Sequence, residues 1–238
     1  MGWAIKQIAL PLRLDHQYSF DNYFGPHADF VINRLQTLIS GTGEIQLGLW
    51  GQSSSGKTHL LNASAAFARA QQVKLHLYDA RDLRVHSAVE FPGFEHGDVL
   101  AIDNLDAIAG LLDWEKCFYQ IVNRCRHGEL KLLYSLSGNP DLTEFELDDL
   151  RSRLQWGLLV QLPPNNDDDV RRILGYRARL LGFDLSSDVI AYLMTHHPRN
   201  LAAQMAILQT LDRASLARQR RITIPLVKQA LEEQAGDR

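Results

Sequence analysis

The stretch that most constrains this chain is Gly51-Gln52-Ser53-Ser54-Ser55-Gly56-Lys57-Thr58. It satisfies G-x-x-x-x-G-K-[ST] at every fixed position. The apolar run Leu47–Trp50 ends directly at Gly51, and the Ala- and Leu-rich stretch Thr58–Gln71 follows, so the context is strand, loop, helix. Glycines let the backbone curl until successive N–H groups face one centre. The N-terminus of the following helix adds partial positive charge there. Such a loop cradles phosphates. Lys57 would reach the β- and γ-phosphates, the Thr58 hydroxyl would ligate Mg²⁺, and His59 follows in the same first helical turn.

Around this motif the chain alternates short apolar runs with helical patterns. Leu47–Trp50, Val73–Tyr78, Val99–Ile102, Leu130–Leu136 and Leu158–Leu162 predict five strands. Apolar runs this short, separated by helices, predict a parallel sheet covered on both faces. Asp113–Arg126 sets Trp114, Cys117, Phe118, Ile121, Val122 and Cys125 at three- and four-residue spacing, one buried stripe of a helix. Two cysteines eight residues apart on one helix lie about 12 Å apart, too far for a disulfide.

The pattern changes at Pro163-Pro164. Asn165–Asp169 suits a helix N-terminus, because Asn and Asp side chains accept from free backbone N–H groups. After it only helices are predicted, over Val170–Leu181, Ser187–Met194, Asn200–Arg218 and Leu226–Gln234, the last opened by Thr223-Ile224-Pro225. The fold class is therefore α/β, a P-loop αβα domain with a parallel five-stranded sheet, followed by a small all-helical domain. The expected boundaries are a tail over 1–15, the nucleotide-binding domain over 16–162 and the helical domain over 163–238.

A second motif supports the first. Val99-Leu100-Ala101-Ile102-Asp103 ends a buried strand on an acid, which can hold Mg²⁺ through its water shell. Asn104 follows where a carboxylate could activate water. A carboxamide takes no proton near neutral pH, so slow intrinsic hydrolysis is expected.

Charge narrows the partners. The chain holds 25 Lys+Arg and 28 Asp+Glu, a net of -3 over 238 residues, which argues against bulk electrostatic capture of DNA. Residues 1–162 hold 14 basic and 19 acidic side chains; residues 163–238 hold 11 and 9. The cluster Arg213, Arg218, Arg220 and Arg221 reads as a solvated helix end, with contact to DNA or an acidic partner as the alternative. No apolar run reaches the ~18 residues of a membrane helix, and Met1–Pro11 lacks a signal-peptide layout, so a cytoplasmic location is expected. There is no H-E-x-x-H, no Cys/His cluster and no G-x-S-x-G.

Longer motifs resemble a known family. The phosphate loop, the strand-end Asp103 and the helical C-terminal part resemble the AAA+ class. Phe20-Asp21-Asn22-Tyr23-Phe24-Gly25-Pro26 resembles the F-D-N-F-x-x-G-P segment of the bacterial replication initiator family DnaA. Leu150-Arg151-Ser152-Arg153-Leu154-Gln155-Trp156-Gly157-Leu158 resembles its L-x-S-R-x-x-W-G-L stretch. The similarity covers roughly residues 18–235.

The resemblance implies ADP or ATP with Mg²⁺ as cofactor, and roles for particular residues. Arg153 would be an arginine finger acting in trans on the ATP of a neighbouring subunit. Arg199, at a lid-helix start, would contact phosphates in cis. Asn139 would stand at the first-sensor position, with an ordinary turn asparagine as the alternative. Asn22, Tyr23 and Phe24 would line the base pocket, the alternative being an apolar plug. DnaA itself carries a helix-turn-helix domain after the lid, whereas only Gly236-Asp237-Arg238 follow the last predicted helix here. The segment Gln7-Ile8-Ala9-Leu10-Pro11-Leu12 resembles a Q-L-x-L-P-L sliding-clamp-binding peptide. Gln7 can hydrogen-bond in a surface pocket and Leu10 and Leu12 can fill an apolar one; Ile8 and Pro11 belong to the same peptide, and Pro11 blocks a continuous helix, so an extended tail is expected. The combination implies a DnaA-related negative regulator of replication initiation. Its partners would be DnaA and the DNA polymerase sliding clamp, with DNA contacted only indirectly or weakly and a homo-oligomer left open. The alternatives are an AAA+ loading or assembly factor and a metabolic P-loop kinase; Asn104 and the S-R-x-x-W-G segment speak against the kinase.

Overall fold

A computed structural model describes residues 18–218 and 222–236. The Gln7–Leu12 segment and Arg220 and Arg221 lie outside the described residues. The chain divides into two compact units between Pro163 and Pro164.

The first unit is built on five parallel strands: β1 (Gln46–Trp50), β2 (Leu75–Asp79), β3 (Val99–Asp103), β4 (Lys131–Leu136) and β5 (Leu158–Gln161), in the order β2-β3-β4-β1-β5. This is the parallel sheet the apolar runs predict. Successive side chains along a strand point to opposite faces. In β3, Val99 and Ala101 enter one apolar layer while Leu100 and Ile102 enter the other. The first layer is closed by α1 (Ala28–Ser40) and α2 (Lys57–Ala70), through Val31, Leu35 and Leu38 of one and Leu60, Leu61 and Ala68 of the other. The opposite layer is closed by α3 (Ala80–Leu83), α4 (Leu112–Arg126) and α5 (Asp148–Leu154). Each fully buried Leu, Val or Phe contributes about 1.5–3 kcal/mol, so these two layers dominate the stability of the unit.

The predicted stripe of α4 is buried at Trp114, Phe118, Ile121, Val122 and Cys125, with Cys117 half-buried beside it. Burial pushes the Cys117 thiol up to about 11 and the Cys125 thiol up to about 12, so both stay protonated. Glu115, fully buried on the same helix, accepts from the backbone N–H groups of Gly110, Glu146 and Leu147 at 2.8, 3.1 and 2.7 Å. One carboxylate thus ties the start of α4 to the start of α5.

The second unit holds α6 (Asp167–Leu180), α7 (Ser187–His196), α8 (Leu201–Arg218) and α9 (Ile224–Gly236). Asn166 caps α6 reciprocally. Its Oδ1 accepts from the Asp169 N–H at 2.9 Å, and Asp169 Oδ2 accepts from the Asn166 N–H at 3.1 Å. Val189, Leu193, Leu211, Val227 and Ala230 form its core, and the buried Gln204 amide donates to the carbonyls of Leu193 and Pro198. Among the described residues, no helix is long and apolar enough to cross a membrane.

Candidate nucleotide site

The carboxyl edge of the parallel sheet is where such folds bind ligands, and the motifs converge there. Between β1 and α2, Ser54 (φ 64°) and Gly56 (φ 98°) turn through the left-handed region. Gly56 is needed for space as well: a Cβ there would lie 2.6 Å from Tyr23 Cε2. The ammonium of Lys57, buried, donates to the carbonyls of Gly51 at 2.6 Å and Gln52 at 2.9 Å. Burial lowers its pKa, and the Asp103 and Asp106 charges work against that.

Thr58 and Asp103 come together as a metal site would need. The Thr58 hydroxyl donates to Asp103 Oδ2 at 2.6 Å. Asp103 Oδ1 accepts from the Ser135 hydroxyl and from the Asn104 N–H at 3.1 Å. A buried carboxylate beside a hydroxyl is a hard-oxygen pair suited to Mg²⁺. Ser55 Oγ is buried in the loop with no hydrogen-bond partner among the described residues. With Lys57 and the first N–H groups of α2, which have no partner within the helix, these groups fit a phosphate chain and its cation. Gln52 and Ser53 are the exposed tip of the loop.

Asn104 adopts the left-handed conformation (φ 55°), and its side-chain NH₂ group donates to both oxygens of Asp79, at 3.2 Å each. Asp79, opposite Asp103 in register, also accepts from Arg81 Nε at 3.0 and 3.1 Å. Burial alone would raise its pKa, but the Arg81 and Asn104 hydrogen bonds outweigh that and hold it below the usual carboxylate range.

The other predicted residues fall as follows. Asn22 and Tyr23 are buried and Phe24 half-buried; the Asn22 carboxamide oxygen accepts from the Ser19 N–H at 3.1 Å. Tyr23 and Tyr18 stand 5.8 and 5.4 Å from the His59 ring, and His59 Nε2 lies 2.9 Å from the Ser19 carbonyl. An aromatic edge therefore borders the phosphate loop. Asn139 uses its Oδ1 to accept from the Asp141 N–H at 3.0 Å, capping the turn Pro140–Leu142. Arg199, in the helical unit, donates to the Met194 carbonyl and pairs with Asp167 at 3.0 Å.

Arg153 stands apart from the loop. Its backbone carbonyl accepts from Gln46 Nε2 at 3.0 Å, at the amino end of β1. Gly51 lies just past the other end of that strand, five residues on and about 16 Å away at the usual rise. The guanidinium lies over the Tyr119 ring of α4, 4.1 Å from its centroid.

Sequence reasoning missed Ser135, Asp79 and Tyr18. The first two had signals: Ser135 is the polar residue inside an apolar strand, and Asp79 ends its strand as Asp103 does.

Comparison with known proteins bears on this geometry. Residues 14–161 match the family model of the bacterial DnaA ATPase domain, and residues 167–231 match the model of the Hda lid domain. The chain is an Hda-like member of the bacterial DnaA ATPase family. Among solved structures, domain III of DnaA from Thermotoga maritima superposes with a TM-score of 0.77 at 18% identity, covering 91% of this chain and 96% of that one. AMPPCP-bound DnaA from Aquifex aeolicus gives 0.68 at 18% identity, over 82% of this chain and 65% of that one. The Holliday junction branch migration motor RuvB of Thermotoga maritima gives 0.65 at 17%, over 93% and 72%. At these identities the DnaA and RuvB structures speak for a shared AAA+ fold.

Proposed function

We propose that this Hda-like chain is a nucleotide-bound negative regulator of replication initiation that stimulates hydrolysis of the ATP carried by DnaA. ADP or ATP with Mg²⁺ occupies the loop of Gly51 to Thr58, with Asp103 opposite Thr58; the AMPPCP bound to Aquifex aeolicus DnaA supports an adenine nucleotide. Bound Mg²⁺ supplies charge neutralisation on the phosphates. Lys57 binds the phosphate chain, Thr58 and Asp103 orient the cation, and Asn104, lacking a proton-accepting group, leaves intrinsic turnover slow. Arg153 is the finger offered to the neighbouring DnaA, where a guanidinium stabilises the charge that develops on the γ-phosphate, worth about 10³–10⁵ in rate in other systems. Residues 7–12 dock the chain on the DNA-loaded sliding clamp.

The observation that carries this reading is that the Arg153 carbonyl accepts from Gln46 at the amino end of β1, the end away from the phosphate loop. An arginine anchored at the amino end of β1 serves a nucleotide other than its own. Arg153→Ala is the test. The variant is expected to bind nucleotide as the native chain does and to lose at least about 10³-fold of the stimulated hydrolysis. Full stimulation by Arg153→Ala would sink the finger assignment, and a pull-down that retains a helicase but no clamp would favour an assembly factor.

A further inference from the structure

We propose that Arg126 and Arg153 form a two-cation clamp on Trp156 that grips the phosphate chain of a nucleoside triphosphate held by a neighbouring AAA+ subunit. This rests on the trans reading of Arg153 and adds a second residue that touches the substrate. Arg126 is the last residue of α4, and its guanidinium carbon stands 4.3 Å from the Trp156 ring centroid. That of Arg153 stands 5.2 Å from the same ring and 4.1 Å from the Tyr119 ring. Trp156 is half exposed, at 51%.

Two like charges sharing one ring repel each other. The ring quadrupole offsets part of that cost. An anion would offset the rest, and among the described residues neither guanidinium has an ion pair. Their neighbours do: Arg124 pairs with Glu129 at 2.9 Å, and Arg151 with Asp148 at 2.5 Å. A cleft of about 610 Å³ opens beside them, lined by Gln120, Asn123, Arg124, Arg126, His127 and Arg153. Its lining is rich in donors and contains no carboxylate.

The platform is rigidly held. Gln46 Nε2 donates to the carbonyls of Arg153 and Leu154, and the Tyr134 hydroxyl donates to Leu154 at 2.5 Å, so the end of α5 is capped by strands of the core sheet. Gly157 lets the chain run hard against β1, since a Cβ there would lie 2.4 Å from the Gln46 carbonyl. Paired guanidiniums match phosphate oxygens in charge and in planar, bidentate geometry. Nucleic acid fits less well. Residues 1–162 carry 14 basic against 19 acidic side chains, a net negative balance unlike that of a strand-binding domain. Guanidiniums also already stack on the indole that a base would need.

The test measures binding of the full chain, with clamp present, to DnaA loaded with AMPPCP or with ADP, for native protein, Arg126→Ala, Arg126→Lys and Arg153→Ala. Arg126→Ala is expected to lose about tenfold of the affinity for the AMPPCP complex, as removal of a charged hydrogen bond does, and little of that for the ADP complex. Arg126→Lys should restore part of it. The concentration for half-maximal stimulation of hydrolysis on ATP-loaded DnaA should rise by a similar factor. A loss that is equal for both nucleotides would overturn the clamp, because Arg126 would then touch the protein surface. So would an unchanged Arg126→Ala beside an inactive Arg153→Ala, with the trans finger left standing. If neither variant changes anything while DnaA is still bound, the functional reading itself fails. Loss of single-stranded DNA binding alone would assign Arg126 to nucleic acid and overturn the clamp.

Discussion

Lys57 closes the phosphate loop on itself by donating to the carbonyls of Gly51 and Gln52. A phosphate chain would offer that buried ammonium stronger, charged acceptors. Lys57→Ala is therefore expected to weaken ATP binding by at least about tenfold, read by titration with a fluorescent ATP analogue; unchanged affinity would contradict the assignment. At this scale the sequence was most informative where spacing alone defines the chemistry. The loop and Asp103 are local motifs, and the Thr58–Asp103 hydrogen bond joins them as the motifs imply. What the sequence did not disclose are partnerships that depend on strand order. Ser135 reaches Asp103, and Asp79 reaches Asn104, because β4 and β2 flank β3. Asn139 had two readings, and its side-chain oxygen is committed to capping its own turn.

The elements show a similar division. All five strands were legible as short runs, β3 by continuous apolar density and β2 by the alternation of Leu75 and Leu77 with His76. The helix α1 was not, since it starts at His27 in the left-handed conformation with no side-chain cap, so no start signal precedes it. Four-residue α3 and seven-residue α5 are too short to show a period. Strand β2 is joined to its surroundings by a buried acid, Asp98, which accepts from His76 and from the Glu95 N–H at 3.0 Å each. Burial would raise its pKa, yet the hydrogen bonds from Glu95 and His76 and the nearby charges hold it below the usual value. Its folded pKa therefore lies below its unfolded one, near 3.9. The stabilisation is present above that pH and is lost as pH falls through the folded value. Asp98→Asn should lower stability at neutral pH and flatten the acid limb of a stability-against-pH curve; an acid limb identical to that of the native chain would remove Asp98 from the account.

At the scale of the molecule, the chain divides into two compact units. The α/β unit holds the phosphate loop at the carboxyl edge of its sheet and Arg153 at the amino end of β1. In the proposed reading such a subunit fills one site and completes another for a neighbour. On that reading the hydrolysis it controls takes place on a neighbour, and Asn104 need supply no local base. The two ends were legible to unequal degrees. The phosphate loop follows from spacing, whereas the finger reading of Arg153 rests on resemblance, and its tie to Gln46 at the amino end of β1 has no local signal in the sequence.

The most direct measurement is hydrolysis by ATP-loaded DnaA with this chain added, in the presence and absence of DNA-loaded clamp. Acceleration is expected when chain and clamp are both present, and little when either is omitted. Verified binding of the chain to DnaA and clamp, with no acceleration, would contradict the proposed function.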